Sequence, residues 1–500
     1  MTSVVVIGAG IGGIAVAARL ARRGFRVTIV EKNSTPGGRT ARLEHNGFKF
    51  DMGPSLFLMP DVFRQTYADL GERMEDHLDL IRLDPTYRVH FHDGSWIDLT
   101  GDLVRMREQL NAIEPGAFDA YLRFVDDGYN HYWKSIRYFV DRNFYTLAQY
   151  LAPANLPLLF ELKALQKHYP HVSHFFKDQR LRAAFSFQNV YLGTSPYEAM
   201  ATYTLLQYTE LGEGVWFPRG GMYRVIESLT AIAEKNGATF RYNAPAARID
   251  VDDAGRRATG VTLAGGERIP ADIVIANADL PYVYEALLPP SPKAQRLKRM
   301  KYTSSAIMFY WGLKGERPPQ LLHHNVFLAD HDYKRSFDRI FRDLTLPDEP
   351  SFYLCSPAGT DPSFAPSGHE SLMALVPVGY LNEEHPQDWQ TLTDKARDAV
   401  WQRLARIGLA DLRERIVFER TLNPLNYRDD LNLAKGAAFG LSHDFLQVGY
   451  LRPHNRHARY GNLYFAGAST HPGTGLPIVL ISARLAEERV LKEQSGWRAV

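Results

Sequence analysis

One cysteine, Cys355, in 500 residues excludes an internal disulfide and any cysteine-rich metal centre. It lies in the apolar run 352–355, where a buried strand thiol is expected rather than a nucleophile. No stretch of about 18 consecutive apolar residues occurs, so no helix is expected to span a bilayer. No basic leader with a cleavage site precedes the first strand, so secretion is not expected. Charge imbalance is also missing. A net charge of +2 argues neither for nor against nucleic acid, and no nucleic-acid partner is expected. Metal-ligand spacing is thin as well. His90 and His92 alternate on a strand without a third ligand and read as a solvent-facing hairpin. His323 and His324 are adjacent and are expected to point apart, so no metal site is expected.

What is present is a globular composition, 45% hydrophobic and 23% charged, in a chain too long for one ordinary domain. The first 31 residues carry the strongest signal. An apolar strand at 4–7 runs into Gly8, Gly10 and Gly13. A small-residue helix (15–22) and a second strand (27–30) ending on Glu31 follow. Gly8 permits the tight turn, Gly10 lets the backbone approach a pyrophosphate, and Gly13 lets helix and strand pack closely. Free N–H groups at the helix start suit phosphate. Glu31, about 20 residues after the glycines, is placed to accept from ribose hydroxyls. Together they read as a dinucleotide site. Gly37 and Gly38 allow a second close backbone approach, and Arg39 can lend charge to a pyrophosphate. Near the other end, residues 462–478 form a strand, a glycine-rich turn and a helix start (helix 479–491). That helix start is aimed at something anionic or electron-rich.

Glu31, Gly37-Gly38-Arg39 and the Asp51-x-Gly53-Pro54 segment resemble the FAD signature of the flavin amine oxidase and carotenoid desaturase superfamily. The string 466–477, together with Arg452–Arg456, Gly214–Gly221, 184–196 and Ile275–Asp279, is similar to bacterial phytoene and diapophytoene desaturases from first strand to last helix. The resemblance implies an α/β fold, with a Rossmann-type FAD-binding domain interleaved with a substrate-binding sheet and a helical, membrane-associating subdomain. It implies FAD held by Gly8, Gly10, Gly13, Glu31, Gly37, Gly38, Arg39, Gly53, Ala246 (beside the adenine), Gly467, Ala468 and Ile478. Flavin amine oxidases usually carry an acidic residue where this chain has Ala468, which fits the carotenoid branch. The implied reaction is desaturation of a C40 phytoene or a C30 diapophytoene, with hydride transfer to FAD. A carotenoid oxidase or isomerase, an amine oxidase, and a lipid-binding protein of the same fold (as in GDP dissociation inhibitors) stay open as alternatives.

Discontinuous lobes are expected: FAD binding over 1–101, 215–288 and 450–495, a helical subdomain over 102–214, and a substrate domain over 289–449. Residues 131–182 interleave aromatics with eight Lys/Arg against three Asp/Glu around the apolar stretch 151–160. That pattern suits a protein that dips into a membrane interface; an ordinary helical core is the alternative. A peripheral site on the inner face of the cell membrane is expected, where an insoluble isoprenoid is loaded. No second dinucleotide fingerprint appears, because Gly212-Glu-Gly214 lacks a preceding strand. Oxygen or a membrane quinone is therefore expected to reoxidise the flavin. No catalytic residue is identified; Glu213 and Arg219, read as flanking a turn at 216–218, are the only charged candidates.

Overall fold

The computed structural model describes residues 1–329 and 332–494; the expected boundary at residue 495 lies outside the described residues. Its first sheet is all parallel, in the order Leu463–Phe465, Ile273–Ala276, Ser3–Ile7, Arg26–Val30, Thr239–Arg241. The sequence explains why both of its faces are covered. Successive side chains of a strand point to opposite faces, and here both sets are Val and Ile. Val4, Val6 and Ile29 pack on the helices Ile11–Arg22, Tyr223–Lys235 and Leu476–Glu493. Val5, Ile7 and Val30 pack on the opposite side, against the meander Ala246–Val251, Ala258–Leu263, Arg268–Pro270.

A second sheet of seven strands runs Ile416–Leu422, Ser305–Lys314, His369–Val378, Phe352–Cys355, His324–Phe327, Tyr87–His90, Trp96–Leu99. All its pairs are antiparallel except His324–Phe327 with Tyr87–His90. Alternation again assigns the faces. Ile307, Phe309, Trp311 and Leu313 pack with Trp389, Trp401 and Leu404 of the helix Trp389–Arg406. Ala306, Met308, Met373 and Leu422 face the other way, into a cavity.

The helical region over 102–214 contains Leu103–Ile113, Ala117–Ser135 and a series of short helices ending in Leu205–Leu211. Its aromatics divide between two environments. Tyr132, Phe144, Tyr150 and Phe176 are buried, whereas Tyr129, Trp133 and Phe160 are exposed, together with the aliphatic Leu151, Leu156 and Leu165. Among the described residues no helix is long and apolar enough to cross a membrane.

Three local expectations are corrected. Residues 216–218 are no turn: Val215–Pro218 is a strand paired with Leu80–Leu83. The strand carrying His90 stops there, and His90 is buried against Phe327 with ring centroids 4.3 Å apart, not solvent-facing. The hairpin itself forms, Tyr87–His90 pairing with Trp96–Leu99, but alternation alone could not show that its other edge joins a larger sheet that buries His90. Finally, His323 and His324 do not point apart: their rings meet at 4.4 Å, because only His324 belongs to the strand.

Phe185 is fully buried, stacked on Phe176 at 4.7 Å and edge-on to Phe124 at 5.7 Å. Phe185→Ala should lower stability by about 3–5 kcal/mol, the usual cost of a cavity of that size. Chemical denaturation reads this directly, and a loss below about 1 kcal/mol would mean that the cluster is not core.

Candidate functional site

The two ends of the chain converge because their strands lie on either side of Ile273–Ala276 in one sheet. That places two helix N-termini side by side. The helix Ile11–Arg22 starts at Gly10, and the helix Leu476–Glu493 starts at Gly475. Neither start has a side-chain cap or an acidic residue in its first turn. Both open on one cavity of about 1150 Å³, beyond the roughly 300–1,000 Å³ typical of small-ligand pockets. Uncapped N–H groups and the positive helix ends suit an anionic ligand.

Of the residues expected to hold the cofactor, Gly8, Gly10, Glu31, Gly37, Gly38, Arg39, Gly53, Ala246, Gly467, Ala468 and Ile478 all line this cavity. Gly13 does not. A Cβ at Gly13 would sit 2.1 Å from the carbonyl oxygen of Gly8, so its task is the close packing of helix on strand. Gly37 has a φ of +120° and bridges to Gly10, which folds the second glycine turn onto the first.

Glu31 is buried, and its carboxylate accepts the Ala9 N–H at 2.8 Å and the Asn33 N–H at 2.9 Å. These two bonds fix the carboxylate against the first turn and leave it further lone pairs for ligand hydroxyls. Arg39 donates to the Ala438 carbonyl at 3.2 Å. Burial lowers its pKa and nearby Asp279 offsets part of that effect. A guanidinium has five N–H donors, so Arg39 retains capacity for an anion. Asp279 accepts from Ser469 Oγ at 2.5 Å and from the Ala434 N–H at 3.1 Å. Asp51 plays a different part from its neighbours in the motif. Its carboxylate accepts the N–H groups of Met222 and Tyr223 at 2.9 and 3.2 Å, capping the helix Tyr223–Lys235 from a distant segment. Burial pushes it up to about 6 against those bonds.

Three positioning groups stood in the quoted strings without an assigned role. Arg452 is 1% exposed and donates to the carbonyl oxygens of Leu441, Ser442, Gln447, Ala468 and Thr470 at 2.5–3.1 Å. Asn455 ties Phe465 O, His471 O and Ser482 Oγ together. Asn277 donates to Ala466 O at 2.7 Å, and its side chain would meet a Cβ on Gly10 or Gly12. They hold the C-terminal turn in place. No local pattern marks them, because carbonyl partners leave no trace in residue identity.

His471 lines the cavity and is kept neutral by burial, with its pKa down to about 4. Glu213 and Arg219 stay off the cavity, and Arg219 forms an exposed pair with Asp79. His323 and His324 lie beside Cys355, with ligand-type atoms within 4.8 Å of one another. Their Nδ1 atoms are engaged by Thr360 and Tyr353, burial holds both imidazoles neutral, and it pushes the thiol up to about 12.

Beyond the cradle the cavity continues between the seven-stranded sheet and the helical region. Met308, Val326, Leu328, Met373 and Leu375 form one wall, and Ile136, Phe139, Leu159 and Leu162 the other.

Residues 11–491 match the family described as flavin containing amine oxidoreductase. A zeta-carotene-forming phytoene desaturase of Myxococcus xanthus is 48% identical over 98% of this chain and 93% of its own length. A 4,4'-diapophytoene desaturase of Staphylococcus haemolyticus is 34% identical over 98% and 99%. A putrescine oxidase structure superposes with a TM-score of 0.62 at 15% identity, covering 99% of both chains, a likeness of fold.

Removing the Glu31 carboxylate by Glu31→Ala should weaken dinucleotide retention about 10- to 100-fold, from the roughly 1.5–3 kcal/mol of charge-assisted hydrogen bonds. The bound flavin absorbance after gel filtration of the folded variant measures this. Unchanged flavin content would sink the ribose assignment.

Proposed function

The chain belongs to the flavin containing amine oxidoreductase family, and from that premise we propose that it is an FAD-dependent desaturase of a linear isoprenoid carotenoid precursor. The observation that carries this reading is that one cavity has two kinds of lining. One part is a cradle of glycines, two open helix starts, Glu31 and Arg39, and the rest is mainly apolar. An alkylammonium substrate brings a charge that burial makes costly unless a carboxylate meets it. Beyond the cradle the walls offer mainly Leu, Met, Val, Phe and Tyr, which suit an uncharged hydrocarbon. The desaturase relatives carry the same message at 48% and 34% identity.

The residues fit FAD. Arg39, half-buried on the cavity wall with donors to spare, would lend charge to a pyrophosphate. Gly8, Gly10, Gly37 and Gly38 keep the backbone bare along the cavity wall, and Pro245 and Ala246, also on that wall, would lie beside an adenine. When bound, FAD supplies a two-electron acceptor for hydride. The protein's share is to bind it, to align the chain in the chamber and to exclude water. The three-lobe division by residue range is part of this proposal.

We take the C40 precursor first, because the 48% identical relative acts, by its name, on phytoene; a C30 precursor is the alternative. The proposal includes a peripheral position on the inner face of the cell membrane. Leu151, Leu156, Phe160 and Leu165 are exposed, Phe160 by 75% and Leu165 by 71%, and Leu159 and Leu162 between them line the chamber. An exposed apolar patch of this kind marks an interaction surface, and here it adjoins the chamber through which an insoluble substrate has to enter. Oxygen or a membrane quinone is the proposed final acceptor.

Expression in cells that make phytoene or diapophytoene should yield coloured product, extractable and readable by absorption. Two colourless backgrounds from a flavin-loaded protein would overturn the desaturase reading. The double substitution Phe160→Ser with Leu165→Ser should lower liposome binding at least tenfold, since burying one such side chain is worth about 1.5–3 kcal/mol. Undiminished co-sedimentation would return that patch to the ordinary surface.

A further inference from the structure

One polar enclave lies behind the apolar wall and is not used by the cradle. Glu210, on the helix Leu205–Leu211, is 1% exposed. Its Oε1 accepts from the Tyr87 hydroxyl at 3.1 Å, and its Oε2 accepts from Gln188 Nε2 at 3.2 Å. Gln207 Nε2 donates to Gln188 Oε1 at 3.0 Å, fixing the amide. The Tyr87 hydroxyl in turn accepts from Tyr191 at 2.9 Å, and Tyr191 lines the cavity. His324 packs on Tyr87 at 5.5 Å, and its Nδ1 meets the Tyr353 hydroxyl, which also bonds Ser55 at 2.8 Å. Ser55 follows Gly53 and Pro54 on the cavity wall.

A carboxyl group buried without a cation is expensive. No lysine or arginine acts on Glu210 among the described residues; burial pushes it up to about 8, against the hydrogen bonds from Tyr87 and Gln188 and the influence of the nearby Tyr191 hydroxyl. A group poised near neutrality, one hydroxyl relay away from a substrate chamber, is suited to proton transfer.

We propose that Tyr191, Tyr87 and Glu210 form a relay that takes up the proton released from the carbon chain during desaturation. The Tyr191 hydroxyl is the group that touches substrate, and Glu210 is the store behind it. This inference rests on the desaturase reading. Forming one double bond removes a hydride from one carbon, to the flavin, and a proton from its neighbour. The electron pair of that second C–H bond becomes the π bond. The proton passes to Tyr191 Oη as the proton already there moves to Tyr87 Oη, and the Tyr87 proton moves to Glu210 Oε1. The hydrogen bonds already run in that direction, Tyr191 donating to Tyr87 and Tyr87 to Glu210. Both tyrosines end as they began, and the carboxylate ends as the neutral acid. Glu210 was hidden from sequence reading, because one glutamate in a short helix looks like any surface charge.

The test uses the FAD-loaded full chain and two variants, Glu210→Gln and Tyr191→Phe. Wild-type desaturation should rise with pH around a midpoint near 8, since only the ionised carboxylate can accept. Glu210→Gln should be at least tenfold slower and lose that pH limb, and Tyr191→Phe should be at least tenfold slower, both with unchanged flavin content. Infrared spectroscopy gives a readout independent of turnover: a carboxylic C=O band that titrates near pH 8 and vanishes in Glu210→Gln. Should Glu210→Gln fail to fold, Tyr191→Phe, which loses only a hydroxyl, decides. Wild-type rates and pH profile in a folded variant would overturn the relay, as would a Glu210 band titrating near the ordinary value of about 4. A wild type that desaturates neither precursor removes the reading underneath as well, whatever the infrared band does.

Discussion

The architecture depends on the parallel pairing of both ends of the chain with one central strand. Ile273–Ala276 sits between Ser3–Ile7 and Leu463–Phe465, so the helices that follow the outer two strands begin at the same edge of the sheet. Ligands bind at the carboxyl ends of parallel strands for this reason. Buried polar groups reinforce the arrangement. Arg19 reaches Glu487 at 3.1 Å and Asp69 at 2.7 Å, joining the first and last helices to the helix Pro60–Asp69. Arg452 satisfies five carbonyl oxygens, two in the C-terminal turn (Ala468, Thr470) and three in the segment 441–447. Breaking either would leave charge or carbonyl groups buried without partners, at a cost of several kcal/mol.

On that base, the second sheet turns one face to a helix and the other to the chamber. The period of two in Ser305–Lys314 is what makes this possible. Large aromatics at 309 and 311 fill the core, while Ala306 and Met308 leave room for a ligand. The helical region supplies the opposite wall and the exposed Leu and Phe side chains beside it. The same segment thus contributes core aromatics, chamber lining and outer patch, according to which side of each short helix a residue occupies.

The chamber's chemistry is set by what its walls lack. Formal charge is concentrated at the cradle end, around Lys32, Glu31, Arg39 and Asp279, whereas the far walls carry hydroxyls and alkyl groups. In such surroundings the few buried polar groups matter more, because low polarity strengthens each hydrogen bond and raises the cost of an unpaired charge. The hydroxyl relay from Tyr191 to Glu210 and the Ser55–Tyr353–His324 contact lie on the same wall, linked through the packing of His324 on Tyr87.

Sequence alone determined the strand–turn–helix–strand at the N-terminus, the matching turn at 467–478 and the glycine, Glu31 and Arg39 positions. Those features depend on local geometry: a tight turn, a bare backbone and a helix start each demand a residue type at a short spacing. The alternating strands were equally legible, because period two is a property of one segment. Tertiary structure decided the rest. It turned 216–218 into a strand by pairing it with Leu80–Leu83, buried His90, drew His323 and His324 together beside Cys355 and moved Gly13 out of the lining. It also sorted the aromatics of 131–182 into core and surface. The roles of Arg452, Asn455, Asp51 and Glu210 came from partners 5 to 172 residues away, often main-chain atoms. Such partners have no sequence signature, since any residue offers the same carbonyl or amide, and only the folded chain brings them within 3 Å.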